Sequence, residues 1–198
     1  RLRGRPVDWC DAPVTFVPRA ALPPRLARAV SSPFVTVLGD ANAVHARGIG
    51  IVGTRSLTVD ESRRAAGIID DLVRTFPHPV ISGGAMGVDA LAHDAALKYG
   101  RSAHLYVAGG LSHAGPRRHR DAYREIVAAG GSVIAERPLD ASPRTFEFVR
   151  RNRSIAAASS AVVVVRAPEK SGALVTARAA FDMQTPVFAV PGRPEDPL

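Results

Sequence analysis

Residues 79–100, PVISGGAMGVDALAHDAALKYG, constrain the fold more than any other stretch of the chain. A short apolar run containing Val80 and Ile81 stops at Gly83 and Gly84, and apolar residues then recur at helical spacing. The pattern predicts a strand, a glycine turn and a helix. Because glycine has no Cβ, N–H groups at such a turn can lie close to an anion at the helix N-terminus. The alternative is a tight turn that binds nothing.

A second stretch, GIVGTR at residues 50–55, has the same character: an apolar strand that ends at a glycine before polar residues. The sequence predicts a helix over 58–76, which Thr58 and Glu61 can cap as a capping box. Open α/β sheets bind ligands at the carboxyl ends of their strands. Two strands with glycine at that edge therefore predict a ligand-binding crevice.

The rest of the chain alternates between strand and helix patterns, which predicts an α/β sheet. Residues 1–24 hold five prolines and little periodicity, so we expect an extended arm before a domain at 25–198. Further strands are predicted at 33–38, 103–108, 132–135, 161–165 and 186–190, and further helices at 26–30, 122–129, 146–158 and 171–183.

The charge balance favours a polyanionic partner. The chain has 26 Lys and Arg against 18 Asp and Glu, a formal net charge of +8, which fits nucleic acid. A basic surface that serves only solubility is the alternative. The single cysteine, Cys10, excludes an intramolecular disulfide and a cysteine-based metal site. With no apolar run of membrane-spanning length and no signal-peptide pattern, we expect no membrane partner and a cytoplasmic location. Both ends are expected to be trimmed.

Five motifs occur along the chain in a fixed order. They are GIVGTR at 50–55, SGGAMGVDALAH at 82–93, FVRRNRSIA at 148–156, SGALVTAR at 171–178 and FAVPG at 188–192. Together they resemble the bacterial DNA-processing protein family DprA, also called Smf, over about residues 22–192. The chain departs from the family's pattern at LSHAGP, residues 111–116, where the family has Tyr-Pro, and at Glu136, which follows alanine instead of serine.

The resemblance implies an extended Rossmann-like fold, a parallel sheet with a mixed edge and helices on both faces. It implies binding of single-stranded DNA and a role in natural transformation, in which the protein loads the recombinase RecA onto incoming strands. It also implies a homodimer with no cofactor, no metal ion and no enzymatic activity.

The residues and the resemblance together predict a phosphate-binding site. We expect the N–H groups of Gly83, Gly84 and Ala85 to hold one DNA phosphate and Arg55 to reach it with its planar guanidinium. A structural ion pair is the alternative for Arg55. The DNA- or phosphate-binding residues predicted are Gly53, Thr54, Arg55, Ser82, Gly83, Gly84, Ala85, Gly87, Arg151, Asn152, Arg153, Ser171 and Thr176.

Several of these residues have more than one interpretation. Arg151 and Arg153 are two apart on a helix, so they point to different faces and only one can face the site. Asn152 can hydrogen-bond a loop or the DNA backbone. Ser171 can cap the helix that follows it, contact an anion, or do both.

Other polar and aromatic residues leave alternatives open. Asp89 and His93, four apart on one helix, are an acid/base pair or are structural, with Asp89 bonded to loop amides and His93 buried. An arginine cluster is a solvated surface or an extension of a DNA track, and three aromatic residues stack on bases or belong to the core. The arginines are Arg117, Arg118, Arg120 and Arg124, and the aromatic residues are Tyr106, Tyr123 and Phe146.

Two other functions use a similar pocket. Nucleotide phosphoribohydrolases of the LOG type also have a Ser-Gly-Gly turn, but they need a Pro-Gly-Gly-x-Gly-Thr-x-x-Glu motif. Here Pro191 and Gly192 are followed by arginine and proline, and the motif does not occur. A sensor that binds a nucleotide signal is the other alternative.

Overall fold

The protein forms a mixed α/β sheet structure. The coordinates are a computed structural model that describes residues 2–4, 7–115 and 117–192. The strands of these ranges are β1 (Leu2–Gly4), β2 (Val14–Pro18), β3 (Phe34–Gly39), β4 (Gly48–Val52), β5 (Val80–Ser82), β6 (Ala103–Val107), β7 (Ser132–Ala135), β8 (Ser159–Val164) and β9 (Val187–Ala189). The helices are α1 (Pro24–Ala29), α2 (Val59–Thr75), α3 (Val88–Lys98), α4 (Arg120–Ala128), α5 (Thr145–Ala158) and α6 (Gly172–Asp182).

The described strands form one sheet in the order β1-β2-β3-β7-β6-β5-β4-β8-β9. The strands from β7 to β9 are parallel, whereas β1, β2 and β3 are joined to them by antiparallel pairs. The prediction of an extended Rossmann-like sheet with a mixed edge is therefore confirmed. The chain order runs outward in opposite directions from β4 and β8, which makes their carboxyl ends a topological switch point.

Helices cover both faces of the sheet, as predicted. On one face Ile51 of β4 packs with α2, α3 and α4, and on the other Val52 packs with α1, α5 and α6. The inner parallel strands are buried on both sides, as β5 shows: all of Val80, Ile81 and Ser82 are buried, whereas the residues of β9 are exposed. The inner strands can therefore offer a ligand only their ends.

The capping box predicted for α2 is present. The N–H of Thr58 donates to the Glu61 carboxylate at 2.8 Å, and the N–H of Glu61 donates to the Thr58 hydroxyl at 3.3 Å. The other predicted elements are present with small shifts at their ends. The beginning of α2 is thus encoded locally, by hydrogen bonds within one turn.

The segment predicted as an extended arm, 1–24, is part of the sheet and its core over its described residues. Val14 of β2 pairs with Leu38 of β3, and the buried indole of Trp9 donates to the carbonyl of Leu111 at 2.9 Å. The sequence prediction missed β2 because the prolines on either side of it obscure the alternation and a helix, α1, lies between it and its partner β3.

In the described residues we find no helix with both the length and the apolar character needed to cross a bilayer.

Candidate nucleic-acid interface

A crevice of about 630 Å³ opens where the carboxyl ends of β4 and β8 diverge. We call it the switch-point crevice, and it brings together most of the predicted site. Its lining includes Gly53, Thr54, Arg55, Ala85, Arg151, Asn152, Ser171 and Thr176. The N-terminal turns of α5 and α6 form one wall and the ends of β4 and β5 the other.

A second cavity of about 250 Å³ adjoins it over the glycine turn, and we call it the glycine cavity. Gly83 and Gly84 line this cavity, and Arg55, Phe148 and Arg151 line both cavities. The prediction that Arg55 and the two glycines lie at the same edge of the sheet is therefore confirmed.

The glycine turn is bonded to a carboxylate of its own helix. The N–H groups of Gly83 and Ala85 both donate to Oδ2 of Asp89 at 3.1 Å. The prediction that these two amides are free for a phosphate is wrong, because an acidic side chain in the first turn of α3 reaches back to them. The alternative given for Asp89, a bond to loop amides, is correct.

Asp89 and Arg151 form the charged centre beneath the turn. Burial raises the pKa of Asp89, while the charge of Arg151 and the turn's amides lower it. Arg151 is only 7% exposed, and its Nε has no hydrogen-bond partner among the residues described. Burial lowers the pKa of Arg151, the Asp89 charge raises it, and that of Arg55 lowers it. A buried arginine with an unused donor therefore faces both cavities.

Two of the predicted glycines allow the end of β4 and the beginning of α3 to pack closely. A Cβ on Gly53 would lie 2.4 Å from Cγ2 of Val88, and one on Gly87 would lie 2.2 Å from the carbonyl oxygen of Thr54. Gly87 has a φ of 71°, and the N–H of Val88 after it donates to the same carbonyl at 3.1 Å. These contacts hold the glycine turn against the end of β4.

The prediction for Ser82 is wrong, because its side chain points into the protein. It is 0% exposed, and its hydroxyl donates to the carbonyl of Ile51 at 2.8 Å. The Thr54 hydroxyl lines the crevice, but it also donates to the carbonyl of Ser56 at 3.1 Å. Both hydroxyls thus donate to backbone carbonyls and stabilise the local backbone.

Arg55 is exposed, and its guanidinium lies over the ring of Phe148 at 5.1 Å from the ring centre. Phe148 lines both cavities and was not among the predicted stacking residues. A usable signal was present: Phe148 precedes Arg151 by three positions on one helix, so the two share a face. Of the aromatic residues that were predicted, Tyr106 and Tyr123 belong to the core.

The other four predicted residues lie on α5 or at the beginning of α6. The Asn152 side chain donates to the carbonyl of Gly172 at 3.1 Å, and the Ser171 hydroxyl caps α6 by accepting from the N–H of Ala173 at 3.2 Å. Thr176 is buried in the crevice wall. Arg153 is exposed and lines a neighbouring groove with Lys170, which confirms that Arg151 and Arg153 have different faces.

The remaining candidates are largely structural. His93 is buried, and burial together with the charges of His119 and Arg151 lowers its pKa from 6.5 to about 3. In the arginine cluster, Arg120 donates to the carbonyl of Ser112 at 3.1 Å and Arg124 to that of Trp9 at 2.6 Å. The described residues contain no group of three or more His, Cys, Asp or Glu placed to hold a metal ion.

Comparison with known proteins gives a consistent result. The family model described as DNA recombination-mediator protein A matches residues 14–198. Protein Smf of Escherichia coli K12 is 35% identical over 171 residues, which cover 86% of this chain and 46% of that protein. DNA processing protein DprA of Bacillus subtilis is 35% identical over 151 residues, 76% of this chain and 50% of that protein. The chain thus spans half or less of the length of these relatives.

Two solved structures resemble the whole fold. DNA processing protein A of Streptococcus pneumoniae has a TM-score of 0.75 at 27% identity, and the match covers 88% of this chain and 61% of that one. DNA processing protein A of Helicobacter pylori has a TM-score of 0.78 at 26% identity, and the match covers 92% of this chain and 83% of that one. The Helicobacter pylori protein is described as having a unique single-stranded DNA binding mode.

Proposed function

This chain belongs to the DNA recombination-mediator protein A family, and we propose that its switch-point crevice binds single-stranded DNA. The observation that carries the proposal is the placement of Arg55 and Arg151 beside the same two cavities, at the edge where an α/β sheet binds ligands. The single-stranded DNA binding described for the Helicobacter pylori relative supports it.

The phosphate contacts come mainly from side chains and from a helix end. Arg55 and Arg151 approach from two sides, and the N-terminus of α6, capped by Ser171, adds a positive dipole at the crevice wall. Because Asp89 occupies the amides of Gly83 and Ala85, the glycine turn shapes the site more than it binds the phosphate. Contacts of this kind hold a backbone without reading bases.

Phe148 supplies a surface for a base. Its ring lines both cavities beside Arg55 and Arg151. Aromatic stacking contributes about 1–3 kcal/mol per base and tolerates any sequence. The crevice therefore combines the two requirements of a single-strand binder, cations for the backbone and an aromatic face for a base.

We further propose that the protein is a recombination mediator that loads RecA onto incoming strands in natural transformation, and that it acts as a homodimer. Exposed apolar residues on α6 and β9 support self-association, because monomers rarely expose so many together. They are Leu174, Val175, Phe181, Val187 and Phe188. Among the described strands β9 also ends the sheet on this side, so its outer edge can pair with a second copy. Phe188→Asp should turn a dimer into a monomer in light scattering, and an unchanged mass would exclude this surface.

The test of DNA binding is a fluorescence-anisotropy titration at fixed salt. We expect an oligothymidine to bind more tightly than duplex DNA or a mononucleotide, with affinity falling steeply as salt rises. Equal or tighter duplex binding would refute the proposal.

We also expect no release of free base from AMP, since the phosphoribohydrolase motif does not occur. Enzyme-dependent release abolished by Asp89→Asn would favour the enzyme instead.

A further inference from the structure

A third cavity, of about 360 Å³, lies at the ends of β6 and β7, next to the glycine cavity. The two share Val107, Ala108 and Arg151 as walls. The other walls include Ser31, Phe34, Glu136 and Arg150. We call it the Glu136 cavity. Arg151 separates it from the switch-point crevice, so a nucleotide whose phosphate contacts Arg151 can place its base on either side.

Glu136 is a partly buried carboxylate whose hydrogen-bond partners are neutral. The Ser154 hydroxyl donates to Oε1, and the N–H of Ser31 donates to Oε2 at a long 3.4 Å. Burial raises the pKa of Glu136, and Arg150 and Arg153 lower it through charge alone, without hydrogen bonds. A carboxylate has about four acceptor sites, so each oxygen keeps capacity for a further donor.

The arginines around the cavity are engaged elsewhere or buried. Nε of Arg137 lies 2.7 Å from Oε1 of Glu147, and the Arg150 guanidinium lies 5.0 Å from the ring centre of Phe146. Arg151 is more than nine-tenths buried, and its Nε has no partner in the described part of the chain. This cationic rim disfavours a positively charged ligand, such as an arginine of another protein. It favours a group that offers N–H donors and is attached to an anionic backbone.

We propose that the Glu136 cavity accepts a guanine base from the bound strand. The proposal rests on the proposed binding of single-stranded DNA and adds a base preference at one position. Guanine is the DNA base that presents two adjacent donors, N1–H and the 2-amino group, and they match the two oxygens of a carboxylate. Adenine and cytosine offer one amino group, and thymine offers one N–H between two carbonyls that a carboxylate repels.

The size and position of the cavity agree with this occupant. Ligand pockets for small molecules begin at roughly 300 Å³, so a cavity of about 360 Å³ has room for a purine. The backbone on either side of the base would remain on Arg151 and Arg55, which contact phosphates regardless of sequence. The rest of the strand is thus bound without sequence preference, and one position reads guanine.

The experiment is an anisotropy series with an oligothymidine that carries one guanine at successive positions. We expect about tenfold tighter binding at one position, the lower end of the discrimination that a bidentate base contact gives. Adenine or cytosine at that position should give no gain. Hypoxanthine, which keeps N1–H and lacks the 2-amino group, should give an intermediate affinity. This comparison needs no protein variant.

Glu136→Gln should remove the guanine gain and leave affinity for plain oligothymidine unchanged, because the amide presents only one acceptor oxygen. Glu125→Gln, an exposed carboxylate on α4, is the matched control and should keep the gain. Equal affinity for all four bases, or a guanine gain that survives Glu136→Gln, would overturn the inference. Absence of binding to plain oligothymidine by the unmodified protein would instead refute the proposed function itself.

Discussion

The guanidinium of Arg151 lies directly against the backbone of Gly83. A Cβ added to Gly83 would lie 1.5 Å from Nη1 of Arg151 and 2.8 Å from Oδ2 of Asp89. The absence of a side chain at position 83 therefore sets the position of the cation that lines both cavities and of its neighbouring carboxylate.

Gly83→Ala should displace Arg151 from its place. We expect the variant to bind oligothymidine about tenfold more weakly, and overpacking of this kind costs typically about 1–3 kcal/mol of stability. The same substitution at Gly67 is the control. A Cβ there meets nothing within 4 Å, and alanine in the middle of α2 should raise stability by up to about 1 kcal/mol. Equal DNA affinity in the two variants would contradict the role given to Gly83.

Arg55→Ala should weaken binding of single-stranded DNA by about ten- to a hundredfold, because a hydrogen bond to a charged group contributes about 1.5–3 kcal/mol. Arg55→Lys should recover only part, since an ammonium lacks the planar fork. Titrations at fixed salt, with melting curves beside them, make the measurement. Arg55 is exposed and stacks on Phe148, so the midpoint should barely change. A lowered midpoint with unchanged DNA affinity would mean that Arg55 is structural.

Asp89→Ala should destabilise the fold by about 3–5 kcal/mol, because it leaves the charge of Arg151 uncompensated and two loop amides without an acceptor. Asp89→Asn keeps one acceptor oxygen and should cost less. Urea unfolding measures both. The matched control is Asp182→Ala, which breaks an exposed ion pair with Arg178 of 3.0 Å and should cost only about 0.3–0.5 kcal/mol. Equal losses at positions 89 and 182 would show that Asp89 does not hold the turn.

The buried histidines should make the protein sensitive to acid. Burial lowers the pKa of His93 from 6.5 to about 3 and that of His104 from 6.5 to about 4. At a pH between 6.5 and these lowered pKa values, the histidines of the unfolded chain bind protons that those of the folded protein do not. The free energy of unfolding should therefore fall as the pH drops below 6.5, by up to about 1.4 kcal/mol per pH unit for each histidine.

Urea unfolding at several pH values tests this dependence. His93→Gln should reduce the slope below pH 6.5 by up to one proton, and the same change at the exposed His78 serves as the control. A slope that is identical in the unmodified protein and in His93→Gln would show that His93 does not stay neutral in the fold.

The parts of the fold that the sequence predicts correctly depend on neighbours in the chain. The Thr58 cap, the Ser171 cap and the glycine turn are each specified within one turn of helix or one loop. The alternation of strand and helix was likewise enough to predict a layered α/β sheet. The two strands that end at glycine then predict the edge of the sheet beside which Arg55 and Arg151 lie.

The errors have long-range or geometric causes. β5 is buried on both faces, so no alternation of apolar and polar residues shows that Ser82 points inward. The pairing of β2 with β3 passes over α1, so it is not specified within one turn or loop. A sequence also cannot show whether the amides of Gly83 accept an external anion or the carboxylate of Asp89, since both use the same donors.

The contact between Arg55 and Phe148 has a consequence for how a nucleotide enters the site. In the free protein the guanidinium covers the ring, so the aromatic face that a base needs is already occupied by the cation that a phosphate needs. Under the proposed binding mode, a phosphate that draws Arg55 away would uncover Phe148, and a base that stacks on the ring would release Arg55. The two contacts would then be thermodynamically coupled, and each would make the other more favourable. A nucleoside without a phosphate, or a phosphate without a base, would make only one of these two contacts and would gain nothing from the coupling.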